Sequence, residues 1–192
     1  MAAEALGGET RWATTQRQGM LDFVRATRRY QRSAEPENRL AGIHLDVEPY
    51  DLPAWKRDPD RVAASLVASM RVATRAAGPI PVGADIPFWY DAPLARDLIR
   101  ATDSTTIMAY RDSGPDVVEV AADEVRMAGE LGKTATVGVE TDDVSPEQVT
   151  FFEEGRGALI EAISEIDSSF AGDPGYGGVA VHHLESLGRL VP

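Results

Sequence analysis

His44, Asp46 and Glu48 stand two residues apart and alternate with Ile43, Leu45 and Val47. An extended strand with this pattern carries its ionisable groups on one side and its apolar groups on the other. Pro49 and Pro53 stop such a strand abruptly and place Asp46 and Glu48 at its C-terminal end. Two carboxyl groups beside a sugar suffice for hydrolysis of a glycosidic bond. One delivers a proton to the leaving oxygen, and the other stabilises or attacks the positively charged centre. Glu48 is the natural acid. Asp46 lies about 6 to 7 Å from it by backbone rise, close enough for the two charges to interact, and Glu140, at the end of a later strand, is a further candidate partner.

The elements that must position these groups can be traced along the chain. A short strand-like run over residues 1–6 leads into Gly7 and Gly8, and Trp12 falls in the loop beyond. Thr15 and Gln18 have capping-box spacing, and Met20, Phe23, Val24, Thr27 and Tyr30 continue a helical period to about Arg32. The strand 42–48 comes next. Asp58 and Pro59 then open a helix with Val62, Leu66, Met70 and Ala73 on one face, closed at Gly78. Further strands are expected over 80–86, 104–110, 133–140 and 177–182. The helices between them are expected over 92–101, 117–131 and 157–166, the last preceded by a capping signal at 145–148.

Repeated strand and helix units imply parallel strands joined by right-handed crossovers. About six units over 192 residues match the unit length of a closed eight-strand barrel of roughly 250 residues. No glycine-rich phosphate fingerprint follows any strand, which disfavours an open nucleotide-binding sheet. The expected fold is therefore α/β, a (β/α)8-type barrel that is incomplete, with strands three to eight present, outer helices, and a single domain over 1–192. Strand parity then turns His44, Asp46, Glu48, Asp85, Tyr110, Glu140 and His182 toward the interior near the strand ends. Trp12 and Trp89 suit stacking on sugar rings, and Arg111 beside Tyr110 adds a donor to the same set of substrate-binding candidates.

Composition narrows the functional classes. The chain is 43% hydrophobic and 26% charged, which fits a folded globular domain rather than a disordered segment. A net charge of −12 repels phosphate backbones, so no nucleic-acid partner is expected. No apolar run reaches the length of a membrane span. The sequence has no cysteine, which removes disulfides, thiol nucleophiles and thiolate metal sites. No cofactor or metal is called for by the primary reading, and the expected partner is a carbohydrate substrate.

The residues from Gly42 to Glu48 resemble the fourth-strand signature of glycoside hydrolase family 18, the chitinase-like barrels, whose pattern is Asp-Gly-x-Asp-x-Asp-x-Glu. Met108 to Tyr110 is similar to that family's sixth-strand Met-x-Tyr. The resemblance implies a barrel glycosidase in which Glu48 is the acid, Asp46 orients a substrate acetamido group that acts as nucleophile, and Tyr110 hydrogen-bonds it. Ala41 and His44 stand where the family has aspartates, so the carboxylate relay behind Asp46 is missing. Glu140 instead resembles the strand-seven nucleophile of the retaining barrel glycosidases, although Val47 replaces the Asn that precedes their acid.

Two other readings fit the same residues. His44, Asp46, Glu48 and His182 could ligate a divalent metal in a metal-dependent hydrolase, and a barrel without its relay could bind carbohydrate without turning it over. A barrel lacking its first two strands would also leave two open edges, through which self-association is expected.

Overall fold

The computed structural model describes residues 3–191. Its elements are β1 (Glu4–Gly8), α1 (Arg17–Ser33), β2 (Gly42–Asp46), α2 (Pro53–Arg57), α3 (Pro59–Ala77), β3 (Val82–Pro87), α4 (Ala92–Ala101), β4 (Ser104–Met108), α5 (Gly114–Glu130), β5 (Thr134–Glu140), α6 (Gly155–Ser169), β6 (Tyr176–His182) and α7 (Leu184–Leu187). The six strands are parallel and form one open sheet in sequence order, with β1 and β6 at its edges. This is the α/β architecture of an incomplete (β/α)8-type barrel. The chain divides into two compact units, one running to Asp85 and including Pro93–Ser104, the other formed by Ile86–Ala92 and the residues from Thr105 onward.

In the first unit the β1–β2 register runs from Glu4 opposite Gly42 to Gly8 opposite Asp46. Along β2 the alternation read from sequence holds, because Ile43, Leu45 and Val47 are buried while His44, Asp46 and Glu48 are only half-buried. Truncating Leu45 to alanine would remove transfer energy and open a cavity, a loss of about 2 to 5 kcal/mol. Helix α1 buries Met20, Val24 and Thr27, and α3 buries Val62, Leu66, Met70 and Ala73. Polar ties join the two helices: the Arg17 Nε donates to Ser69 Oγ at 2.8 Å, and the Arg28 guanidinium donates to the Ala76 carbonyl at 2.8 Å. Asp58 caps α3 by accepting the Arg61 N–H at 3.2 Å, Pro59 supplies a fixed first-turn φ, and Gly78 ends the helix at φ 68°.

The expected capping box at Thr15 does not form. Residues Thr10–Ala13 make a 3₁₀ turn instead, and the Arg11 carbonyl accepts the N–H groups of both Thr14 and Gln16, at 3.0 and 2.8 Å. The chain is thereby held out of the helix until Arg17. Trp12 consequently sits in this turn rather than in an open loop.

In the second unit β5 and β6 pair from Val137 opposite Val179 to Glu140 opposite His182, after an irregularity near Ala135. Helix α5 starts at a Ser113 cap and buries Val117, Ala121 and Val125. Helix α6 buries Leu159, Ala162 and Ile166. The capping signal at 145–148 leads into a 3₁₀ turn over Glu147–Val149, after which the Phe151 N–H bonds back to the Glu140 carbonyl at 3.0 Å and the fully buried Phe151 anchors the segment. Helix α6 begins only at Gly155, where φ is 83°.

Glu124 of α5 is a buried carboxyl, 5% exposed, and burial pushes its pKa up from 4.5 to about 7. A carboxyl with a raised folded pKa binds its proton more tightly in the folded state. Its stabilisation is complete below the unfolded pKa and is lost as pH rises through the folded one. Urea unfolding between about pH 5 and about pH 8 is expected to show this loss, on the order of 2 kcal/mol once solvent screening is allowed for. Glu124→Gln should flatten that part of the profile and be the more stable protein at the alkaline end. The edge strands generate a second expectation. Unpaired backbone groups on β1 and β6 favour pairing with another chain, so sedimentation velocity should show concentration-dependent association, and a monomer at every concentration would oppose it.

Candidate functional site

In the first unit, three neighbouring strands converge on His44. The β2–β3 register sets His44 against Gly83, where a Cβ would lie 2.8 Å from His44 Nδ1. Glycine there makes room for the ring. His44 Nε2 lies 2.8 Å from Asp85 Oδ1, and Nδ1 lies 3.6 Å from Glu4 Oε2. With its side chain only 17% exposed, burial alone would lower the His44 pKa. The hydrogen bond to Asp85 and the charges of Asp85, Glu4 and Asp46 outweigh it, and the pKa is raised.

Asp46 closes β2, with its Oδ1 atom buried. Glu48 lies just past the strand, at the start of the 3₁₀ turn Pro49–Asp51. The strand expected through Glu48 ends at Asp46 because Pro49 has no N–H to continue the ladder. The Tyr50 hydroxyl donates to Glu48 Oε1, while Oε2 makes no hydrogen bond among the described residues. One oxygen of Glu48 is thus held and the other is open.

The second unit holds a different carboxylate. Glu140 ends β5 with its side chain 7% exposed. Its Oε1 accepts the backbone N–H groups of Thr141 and Asp142, at 2.7 and 2.8 Å, and its Oε2 meets His182 Nδ1 at 2.9 Å. The His182 side chain is 59% exposed, and the Tyr110 ring lies 6.4 Å from it, centroid to centroid. Behind this pair, Thr141 Oγ1 and Ser186 Oγ are 2.7 Å apart, Arg189 donates to Asp142 at 2.6 Å, and His183 Nε2 is 3.5 Å from Asp142.

The remaining sequence candidates take varied settings. Trp12 is half-buried and packs on Phe23, with ring centroids 5.9 Å apart. Trp89 is 49% exposed and stands edge-on to Tyr90 at 5.0 Å. The Arg111 guanidinium lies 4.3 Å above the Phe88 ring and donates to the Tyr110 carbonyl at 2.7 Å, an arrangement that favours a cation on a π face. Tyr110 falls past the end of β4 rather than within it. Among the described residues no group of three or more His, Asp or Glu side chains is arranged to hold a metal ion.

Sequence reading missed Glu4 and Tyr50. Glu4 carried no signal beyond its place in a short strand, because its meeting with His44 depends on strand register. Tyr50 did carry one, since it continues the two-residue spacing of His44, Asp46 and Glu48 past the proline. The cluster of Asp142, His183, Ser186 and Arg189 was also missed, because Leu184–Leu187 forms the short helix α7 that brings Ser186 back to Thr141.

The fold is that of an α/β protein of parallel strands, with one group of carboxylates around His44 in the first unit and another around His182 in the second. No family model matches the sequence, and no curated protein matches it. Among solved structures, a chitinase from Chromobacterium violaceum is similar with a TM-score of 0.49 and 17% identity, over 73% of this chain and 50% of that one. The chain spans about half the length of that chitinase. A likeness of this degree assigns neither an activity nor a residue role.

The raised pKa of His44 fixes a pH dependence. Its contribution to stability is complete below the unfolded value of 6.5 and is lost as pH rises through the higher folded value. Asp85→Asn should lower stability on the acid side and shrink this alkaline decline, measured as the urea midpoint against pH. An unchanged decline would separate His44 from Asp85 energetically.

Proposed function

We propose that this protein hydrolyses a glycosidic bond in an oligo- or polysaccharide, with Glu48 as general acid and Asp46 as its partner carboxylate. The observation that supports this most is the difference between the two oxygens of Glu48, Oε1 held by the Tyr50 hydroxyl and Oε2 without a hydrogen bond among the described residues. An acid that must meet a leaving oxygen needs one oriented and one available face. Asp46 sits two residues back on the same side of β2, where it could stabilise the developing positive charge or orient a substrate group. The proline turn fixes Glu48 just beyond the strand instead of leaving it on a mobile loop.

Substrate contact would draw on side chains that are aromatic and exposed. Trp89, 49% exposed, is of the residue type on which a sugar ring stacks through its C–H groups.

Screening aryl glycosides of several sugars, with and without N-acetyl groups, tests the reading. Glu48→Gln keeps size and hydrogen bonding but cannot release a proton, so turnover should fall by about 10²- to 10⁴-fold with the urea midpoint nearly unchanged. Equal activity in the parent and in Glu48→Gln would remove Glu48 from the mechanism. Saccharide affinity without turnover in the parent, retained in Glu48→Gln, would establish a binding protein instead.

A further inference from the structure

The groups of Glu140 are disposed unlike those of Glu48. Both of its oxygens are engaged by the protein: two backbone N–H groups meet Oε1, and His182 Nδ1 meets Oε2. A nearly buried carboxylate tied at both oxygens is poorly placed to attack a carbon. A carboxylate can only accept, so the proton between Glu140 and His182 belongs to Nδ1. That assignment leaves the lone pair on Nε2 of a side chain that is 59% exposed. The Tyr110 ring and the edge-on His183 ring, 5.1 Å away between centroids, flank it without taking Nε2 in any hydrogen bond among the described residues.

We infer that Glu140 and His182 form a proton-transfer dyad, in which His182 Nε2 is the reactive atom and Glu140 is a positioning residue. The ring is aimed, its tautomer is fixed, and the imidazolium formed on proton uptake has a carboxylate behind it. Its partner is an O–H group, and on the saccharide reading proposed above, on which this assignment rests, that group is the attacking water. The O–H bond of the water breaks and its proton goes to Nε2. The water oxygen bonds to the anomeric carbon as the bond to the leaving oxygen breaks, and the leaving oxygen departs with a proton taken up from solvent. His182 then returns its proton to solvent. No oxidant, reductant or further reactant is needed.

Three measurements on the intact protein decide the matter. Nitrogen NMR of isotope-labelled protein reads the tautomer, and His182 should carry its proton on Nδ1 in the parent and lose that preference in Glu140→Gln. Diethyl pyrocarbonate tests Nε2 chemically. The lone pair attacks the reagent's carbonyl carbon, ethyl carbonate leaves, and the Nδ1 proton passes by way of Glu140 to solvent. His182 should be acylated ahead of His44, whose ring is enclosed by Asp85 and Glu4, and several-fold more slowly in Glu140→Gln than in the parent, with Glu140→Asp recovering part of the rate. A mixed tautomer in the parent, or an acylation rate indifferent to Glu140→Gln, would overturn the dyad.

Hydrolysis supplies the third readout. His182→Ala should lose about 10²-fold or more of the parent's turnover and regain part of it with added imidazole. A parent that turns over saccharides with no loss in His182→Ala would overturn the assigned role while leaving the hydrolase reading intact. A parent with no turnover on any saccharide would overturn that reading and the water as partner, while the tautomer and the acylation rates still decide the dyad itself.

Discussion

A parallel strand covered by a helix on one side must be apolar at every second residue, because that face has no water to satisfy polar groups. Everything else in this protein depends on that constraint. In β2 it commits Ile43, Leu45 and Val47 to the core and leaves the intervening positions unable to contribute much to burial. Those positions are therefore where charged groups cost least. His44, Asp46 and Glu48 occupy them. A single-residue slip in register would exchange the two sets, burying the charges and exposing the apolar groups, so the packing that stabilises the strand also aims the site.

The same constraint decided how much could be read without a structure. The period-two alternation of β2 and the period-3.6 faces of α3 and α5 were legible because each is a local pattern enforced by a nearby surface. The six-strand order came from the repeated β-α unit. Helix entry was less legible. Thr15 and Gln18 have the spacing of a capping box, yet the Arg11 carbonyl takes the N–H groups of Thr14 and Gln16 and the helix begins only at Arg17. Residues 145–148 lead only into the 3₁₀ turn Glu147–Val149, and the bond from Phe151 to Glu140 fixes the segment from its far end. Capping patterns report only what a short window can do, and both cases were settled by bonds from outside that window.

Site residues divide along the same line. Asp46 and Glu48 could be singled out because proline marks the end of their strand. The His44 contacts with Glu4 and Asp85 come from strands well separated in sequence, and register, which no local pattern specifies, brings them together. Gly83 shows the dependence most directly. Its lack of a side chain reads in sequence as a weak point in a strand, and in the fold it is the space that the His44 ring occupies.

Glu48 and Glu140 are the same residue type at the end of a parallel strand, and the next few residues of backbone separate their chemistry. After Glu48 come Pro49 and a 3₁₀ turn. Proline has no N–H to offer, so the carboxylate meets one hydroxyl, from Tyr50, and keeps an oxygen open. After Glu140 come Thr141 and Asp142, whose N–H groups both meet Oε1, the Thr141 N–H being shared with the His182 carbonyl. That carboxylate is anchored to its own backbone, and its second oxygen is left to orient a histidine. A carboxylate's capacity to exchange a proton with a ligand thus depends on how many donors the adjoining two residues contribute. Here proline subtracts one donor at the first site and threonine with aspartate adds two at the second. The side chain that reaches outward is consequently the glutamate itself after β2 and the histidine it holds after β5.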